Sequence, residues 1–346
     1  MSLMTSERMA ISRAGRGSPQ ELGRQIRALI DTLRLDLTGS VVLTEAATGA
    51  YVVTPVIAAA AGATHVHAVT GDSPHGTVDD VVTATMALAE ELGVRDRITI
   101  TTDRNIDLFA AADIVTNSGH LRPIVGAAAA ALRPGTALCL MFEAWELGAG
   151  RVDLDLDAMR DRGVLVAGTN ERHPDIDVFG YLGLLAVVQL ADAGVAAYGS
   201  NIALLCANPF REPMEQGLRA SGAQLRVAGS IDELVAGPRP DAVVVAMTPG
   251  DDPVVGPAES TRIGQRWPGV TITQFWGDVD RHACVEANLH VWPVDPPAPG
   301  HMGVLLSRLG PDPIVRLQAG GLRVGQVLRT PDERRTPADL EYLDVC

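Results

Sequence analysis

The sequence predicts an α/β protein made of two related, mostly parallel halves with a cleft between them. Three observations carry this. Short β-branched runs alternate with helical stretches along nearly the whole chain, the order that builds a parallel sheet with helices on its faces. Hydrophobic residues make up 47% of the chain and aromatic ones only 4%, so the cores are Ala, Val and Leu, which suits closely packed layers better than an aromatic-rich sandwich. The outline of the first half also returns in the second. Gly62-Ala63 and Gly222-Ala223 each precede a strand, and Ala112-Asp113-Ile114-Val115 is answered by Pro240-Asp241-Ala242-Val243. A length of 346 residues fits two domains. The boundaries read as an N-terminal helical segment (1–37), a first α/β domain (38–193), and a second α/β domain with a C-terminal tail (194–346).

Residues 1–17 read as disordered. Ser18-Pro19-Gln20-Glu21 is a capping box with proline at the first helical position, opening a helix to about Arg34. Its apolar face, Leu22, Ile26, Ile30 and Leu33, packs on the first sheet or on a second copy of the chain, and a homodimer is the expectation. Next comes the stretch on which function turns. Val41–Leu43 is a strand, Thr48-Gly49-Ala50 a break, and Thr54-Pro55 opens a small-residue helix over Val56–Ala63. His65–Val69 is a second strand, and Asp72 follows it. Strand, glycine turn, helix, strand, acid is the order of a dinucleotide-binding β-α-β unit, and it makes both halves Rossmann-like.

The full G-x-G-x-x-G fingerprint is missing, and Gly49 is the glycine of the turn. Free N–H groups and the helix dipole favour an anion there by roughly 0.3–1 kcal/mol. Asp72 follows Gly49 at close to the usual offset of about 20 residues for the acid that takes a ribose hydroxyl. Thr48, Gly49, Ala50, Asp72 and Asn117 are therefore the candidate cofactor-binding residues, for NAD or NADP. An acid at Asp72 favours NAD; Thr70, Ser73 and His75 could instead line a phosphate pocket. An α/β crossover with no ligand is the other reading of the same pattern.

The remaining elements follow in order. Gly76–Gly93 is helical, Ile98–Thr101 a strand, Ile106–Ala112 a short helix and Asp113–Asn117 a strand. Pro123 starts an alanine-rich helix, followed by strand Ala137–Phe142, helix Leu156–Arg162 and strand Val164–Ala167. An apolar helix over Asp177–Ala193 joins the halves. The second half reads as strand Ile202–Cys206, helix Glu212–Ser221, strand Leu225–Ala228, helix Ile231–Val235, and strands Asp241–Met247 and Val270–Phe275. Trp292–Gly300 is a linker. His301–Leu309 and Ile314–Val327 read as helices, the latter broken by Gly320-Gly321 and Gly325, in a tail that crosses back to the first half. Residues from Thr330 on read as exposed.

A net charge of −14 argues against nucleic acid or an anionic membrane surface as partner. No run approaches the roughly 20 apolar residues of a membrane span, and the N-terminus is not a signal peptide. All 28 basic residues are arginine. The absence of lysine removes Schiff-base chemistry, a P-loop lysine and a lysine general base. Four scattered cysteines with no C-x-x-C read as reduced thiols of a cytoplasmic protein.

Ligands of open α/β sheets bind at the carboxyl ends of the strands, and the loops there are polar. His120 and Arg122 follow one strand, Glu143 and Glu146 the next, and Asn170, Glu171, Arg172 and His173 a third. An imidazole with a carboxylate transfers protons, and arginine clamps a substrate carboxylate. The candidate catalytic set is His120, Arg122, Glu143, Glu171 and His173, with His120 as acid–base, for a small polar, carboxylate-bearing substrate. For each, a cap or a surface ion pair is the plainer role. His65 and His67 read as structural and no metal site is expected, since no third ligand stands at metal spacing. Cys206 reads as a buried thiol.

The segments Ala112-Asp113-Ile114-Val115-Thr116-Asn117, Leu132-Arg133-Pro134-Gly135-Thr136-Ala137, and Val152-Asp153 with Gly163-Val164 resemble the latter part of the cofactor domain of D-2-hydroxyacid (formate/glycerate-type) dehydrogenases. The resemblance covers about 120 residues through short motifs of the kind that carry hypotheses only. It implies NAD(P), a two-domain cleft, and a histidine–carboxylate pair with an arginine. This chain departs in its degraded glycine fingerprint and in Phe142-Glu143-Ala144-Trp145, where the family has its arginine. Its C-terminal half is a second α/β unit rather than a return segment. The resemblance therefore carries over the cofactor and none of the catalytic assignments. A lyase, transferase or binding protein that keeps the fold without NAD(P) is the alternative.

Overall fold

Buried β-branched runs become strands, and the segments between them become crossover helices, because parallel neighbours cannot be joined by a tight turn. The computed structural model describes residues 17–149 and 153–345; the stretch read as disordered lies outside them except for Gly17. The chain divides into two units. The first takes the described residues up to Leu147, then those up to Val178, and those from Gly310 onward; the second contains Phe179–Leu309.

The first unit holds strands β1 (Val41–Glu45), β2 (His65–Val69), β3 (Ile98–Thr101), β4 (Ile114–Asn117), β5 (Ala137–Leu140) and β6 (Leu165–Thr169). They lie in the order β6-β5-β4-β1-β2-β3, all parallel, with the last strand of the chain, β12 (Leu343–Val345), antiparallel on β6. This is the doubly wound order in which the chain reverses direction across the sheet between β1 and β4. Val42 pairs with Ile114 and Leu43 with Val115 at that junction.

Helix α1 (Pro19–Leu33) is capped by Ser18, whose hydroxyl accepts the Glu21 N–H at 3.2 Å. Its face of Leu22, Ile26, Leu29 and Leu33 is buried within this unit, against α3 (Val78–Glu91) and α12 (Asp312–Arg329). The other helices are α2 (Val53–Ala60), α4 (Ile106–Ala111), α5 (Gly126–Ala131) and α6 (Leu156–Asp161). Leu43, Val115, Leu138 and Leu140 form one core face of the sheet with Phe109, Leu132 and Met159.

Two expectations change here. The C-terminal helix is not broken: α12 runs 18 residues without interruption and is buried along most of its length. Three interior glycines cost about 3 kcal/mol in helix propensity, which close packing offsets. A Cβ on Gly320 would come 2.7 Å from Ile176 Cδ1, and one on Gly325 would come 2.7 Å from Ile114 Cγ2. The tail does return to the first sheet, and its last residues are not simply exposed. Tyr342 is 7% exposed and β12 closes the sheet edge. The short helix α13 (Pro337–Leu340) is tied down by Arg323, which donates to Asp339.

The second unit holds β7 (Asn201–Leu205), β8 (Gln224–Ala228), β9 (Ala242–Ala246), β10 (Thr271–Trp276) and β11 (His290–Trp292), all parallel in the order β11-β10-β9-β7-β8. Its switch point lies between β7 and β9. Helices α7 (Leu182–Asp192) and α8 (Arg211–Ala220) meet at Gly183 and Gly217, where an added Cβ would stand 2.6 Å from the opposing Cα. Besides α9 (Ile231–Ala236), two helices that the sequence reading passed over, α10 (Pro257–Arg266) and α11 (Arg281–Glu286), supply the last crossovers. The molecule is α/β with two mostly parallel sheets, as the alternating pattern predicts. No helix among the described residues is long and apolar enough to cross a membrane.

Candidate functional site at the carboxyl edge of the first sheet

Three adjacent strands, β2, β1 and β4, end together at the first switch point. After β1 the chain turns through Ala46-Ala47-Thr48 and enters a helical segment at Gly49, whose φ of +69° only glycine adopts without strain. A 3-10 turn over Gly49–Val52 continues directly into α2, and the Thr48 side chain caps none of its N–H groups. The helix thus begins a turn earlier than Thr54-Pro55 predicts. Thr54 is no cap; its hydroxyl donates to Gln318 Oε1 of α12 at 2.9 Å. An added Cβ at Gly49 would meet nothing within 4 Å, so the glycine answers the backbone turn and leaves its outer side open. Ala50 is buried beneath it.

The ends of β2 and β4 flank this opening. Thr70, 3% exposed, follows β2 and its hydroxyl has no partner. Asn117, 2% exposed, ends β4 with neither Oδ1 nor Nδ2 hydrogen-bonded. A buried carboxamide left wholly unpaired costs on the order of 1–3 kcal/mol, which the packing of this unit does not require. Asp72 is exposed and its Oδ1 accepts the Val78 N–H at 2.8 Å.

His120 is half-buried in the loop after β4, against the backbone of Gly71, where an added Cβ would lie 3.4 Å from its Nδ1. Arg104 fixes the loop by donating to the carbonyls of Leu121, at 2.7 Å, and Pro123. Arg122 pairs with Asp153 at 3.2 Å. Beside them stands a group the sequence reading missed. Glu45, the last residue of β1, is 5% exposed, and its Oε2 accepts the His120 N–H at 2.9 Å. Gly119 lies so close that an added Cβ would collide with the carboxylate. Burial pushes the Glu45 carboxyl above its ordinary range, opposed by the His120 N–H and by the charges of His120 and Arg122. Burial, with the Glu45 charge behind it, also pushes the Tyr51 phenol up to about 12. The signal in the sequence was an acid directly after Val41-Val42-Leu43-Thr44, at the end of a central parallel strand covered on both faces.

The remaining candidates gather at the ends of β5 and β6, where polar groups are paired. Glu143 is fully buried, accepting Trp145 Nε1–H at 2.7 Å and Arg172 Nε–H at 2.9 Å. Its N–H donates to Glu146. Glu171 is 8% exposed, and its carbonyl accepts the Val178 N–H. His173 stacks on Tyr342 with ring centroids 3.9 Å apart, and its Nδ1 accepts the Asp175 N–H. Asp175 in turn accepts the Tyr342 hydroxyl at 2.7 Å. His173 and Asp175, through Tyr342, help seat the returning C-terminus on β6.

In the second unit, Asn208 binds across the switch point. Its Nδ2 donates to Ala246 O at 2.9 Å and to Thr248 Oγ1, and its Oδ1 accepts the Phe210 N–H and the Cys206 thiol. Burial pushes Cys206 up to about 11, which favours the protonated thiol. His65 bonds Thr99 and lies edge-on to His67, whose imidazole burial pushes down. Among the described residues no three His, Cys, Asp or Glu are grouped to hold a metal ion. A surface cleft of about 410 Å³ between α10 and α11 and one of about 350 Å³ between α1 and α12 include none of the switch-point residues.

No protein-family model and no curated protein matches the chain. Among solved structures it is similar to the A chains of two dipicolinate synthases. The one from Bacillus halodurans gives a TM-score of 0.53 at 12% identity, over 86% of this chain and 100% of that one. The one from Bacillus subtilis gives a TM-score of 0.50 at 12% identity, over 85% of this chain and 97% of that one. At such identities the likeness shows the fold. D-2-hydroxyacid dehydrogenases, the family the sequence resembles, are also among the similar structures. D-mandelate dehydrogenase from Rhodotorula graminis has a TM-score of 0.41 and 13% identity over 75% of this chain and 84% of that one, a level that carries no argument about function.

Proposed function

We propose that the first unit binds NAD or NADP and that the protein is an NAD(P)-dependent oxidoreductase acting on a small polar, carboxylate-bearing substrate. The observation that carries this is Asn117, a buried carboxamide with both polar atoms unpartnered at the point where doubly wound sheets bind nucleotides. The surrounding residues fit the cofactor. The uncapped N–H groups after Thr48 and the open side of Gly49 suit a diphosphate, Asp72 suits a ribose hydroxyl, and Asn117 and Thr70 suit polar edges of the bound molecule. When bound, the nicotinamide supplies hydride transfer.

This chain's own part is proton transfer and orientation. His120, half-buried and fixed through Arg104 and the Glu45 carboxylate, moves a proton to or from the substrate oxygen. Arg122 holds Asp153 and contributes positive potential. A second reading, a protein that keeps the fold without the dinucleotide, is favoured by one feature, the buried Glu45 carboxyl beside the opening. Titrating NAD(H) and NADP(H) while following thermal unfolding tests the proposal. A ligand at 100 times its dissociation constant stabilises by about 2.7 kcal/mol, and Gly49→Ala, which puts a methyl on the open side, weakens binding at least tenfold. No stabilisation by any of the four nucleotides would remove the reading.

A further inference from the structure

We propose that Glu45 governs ligand capture in the first unit: the anionic nucleotide enters together with a proton that the Glu45 carboxylate takes up. The proposal rests on the nucleotide reading above and on the geometry of this one side chain. Glu45 ends the central strand, directly before the turn that opens at Gly49. It cannot swing aside, because Gly119 is packed against its carboxylate and the His120 N–H holds Oε2. The charges of His120 and Arg122 offset its burial only in part, and neither side chain is hydrogen-bonded to the carboxylate. Arg122, on the β4 loop, is committed to Asp153; Arg104 is spent on backbone carbonyls; and the chain has no lysine. Tyr51, from the turn after β1, is an un-ionised phenol. At the end of β2, Asp72 adds negative charge to the same edge. A diphosphate brought to this edge meets the buried carboxylate, and a like charge nearby favours its protonated form.

The proton resolves the conflict. In the free protein, burial already favours the protonated carboxyl, and the nearby nucleotide anion favours it further. Its proton affinity is therefore higher in the complex than in the free protein. Binding is strongest, and independent of this group, at pH below the free-protein value. It weakens tenfold per pH unit between the free and bound values and levels off above the bound one. His120 stands at the same edge, so the test separates the two.

Calorimetric titration of the whole protein with NADH and NADPH, in two buffers of different ionisation heat at each pH, counts the protons taken up per nucleotide. Wild type takes up a proton in the window where affinity falls. Glu45→Gln, which keeps an acceptor for the His120 N–H, takes up none there and binds at least tenfold more tightly than wild type at the alkaline end. Thermal unfolding of the unliganded variant checks that it folds. Uptake unchanged in Glu45→Gln, or uptake lost instead in His120→Gln, overturns the proposal. Absence of nucleotide binding by both wild type and Glu45→Gln at every pH overturns the nucleotide reading and this proposal with it; binding without linked uptake overturns this proposal alone.

Discussion

The two sheets place an asparagine at each of their switch points and treat it in opposite ways. In the second unit Asn208 ties β7 to β9 through four partners, Ala246, Thr248, Phe210 and Cys206. In the first, Asn117 is more deeply buried and its side chain bonds to nothing. The same architecture and the same residue type thus yield one stitched edge and one open edge. The two edges differ in the pairing of their polar atoms more than in residue identity. The contrast between the β4 loop and the ends of β5 and β6 teaches the same lesson within one sheet. There too a histidine, an arginine and glutamates stand in loops, but Glu143 is paired with Arg172 and His173 is stacked on Tyr342.

The contrast breaks most sharply at His120. His120→Ala lowers turnover by roughly 10²–10⁴-fold, measured as steady-state rates once a substrate is found, with nucleotide affinity nearly intact. The corresponding change at the closed edge, His173→Ala, leaves the rate within a few-fold; equal losses at both positions would erase that distinction. Next in size is Asn208→Ala, which unties the second switch point and leaves a backbone N–H and a carbonyl without partners. Denaturant unfolding should show a loss of about 1–3 kcal/mol, with unchanged nucleotide binding. The smallest effect has the opposite sign. Asn117→Leu replaces an unpaired carboxamide with an apolar side chain of similar shape and stabilises the unliganded protein by about 1 kcal/mol. The same variant binds nucleotide more weakly. A destabilised Asn117→Leu would mean the carboxamide serves the fold.

Much of the fold was legible because its signals are local. The capping box at Ser18, the glycine turn at Gly49, and the strands His65–Val69, Asp113–Asn117 and Asp241–Met247 announce themselves within a few residues. Distant partners decide what was not legible. The glycines of α12 read as breaks because propensity is local, whereas Ile114 and Ile176, against which they pack, lie far away in sequence. The stacking of His173 on Tyr342 and the pairing of Glu143 with Arg172 likewise join residues far apart in sequence. Glu45 was passed over because the strand reads as ending at Leu43, which leaves the acid in the turn, and only the close approach of Gly119 shows that it is enclosed. The places of Gly49, Asn117 and His120 just past or at the ends of strands were legible, because the strand ends follow from the alternation of strands and helices.

The return of the chain after Gly310 has a consequence for biogenesis. Residues through Val178 provide six of the seven strands of the first sheet, yet α12, which covers β4, β5 and β6, is synthesised only after the whole second unit. Domains generally fold as units during synthesis, so the second unit is complete while the first still exposes an uncovered sheet face and the unpaired edge of β6. Unpaired edges and bare apolar faces are what chaperones bind and what misassembly begins from. A nascent chain of this protein therefore passes through a stage in which its later-made half is finished and its earlier-made half is waiting.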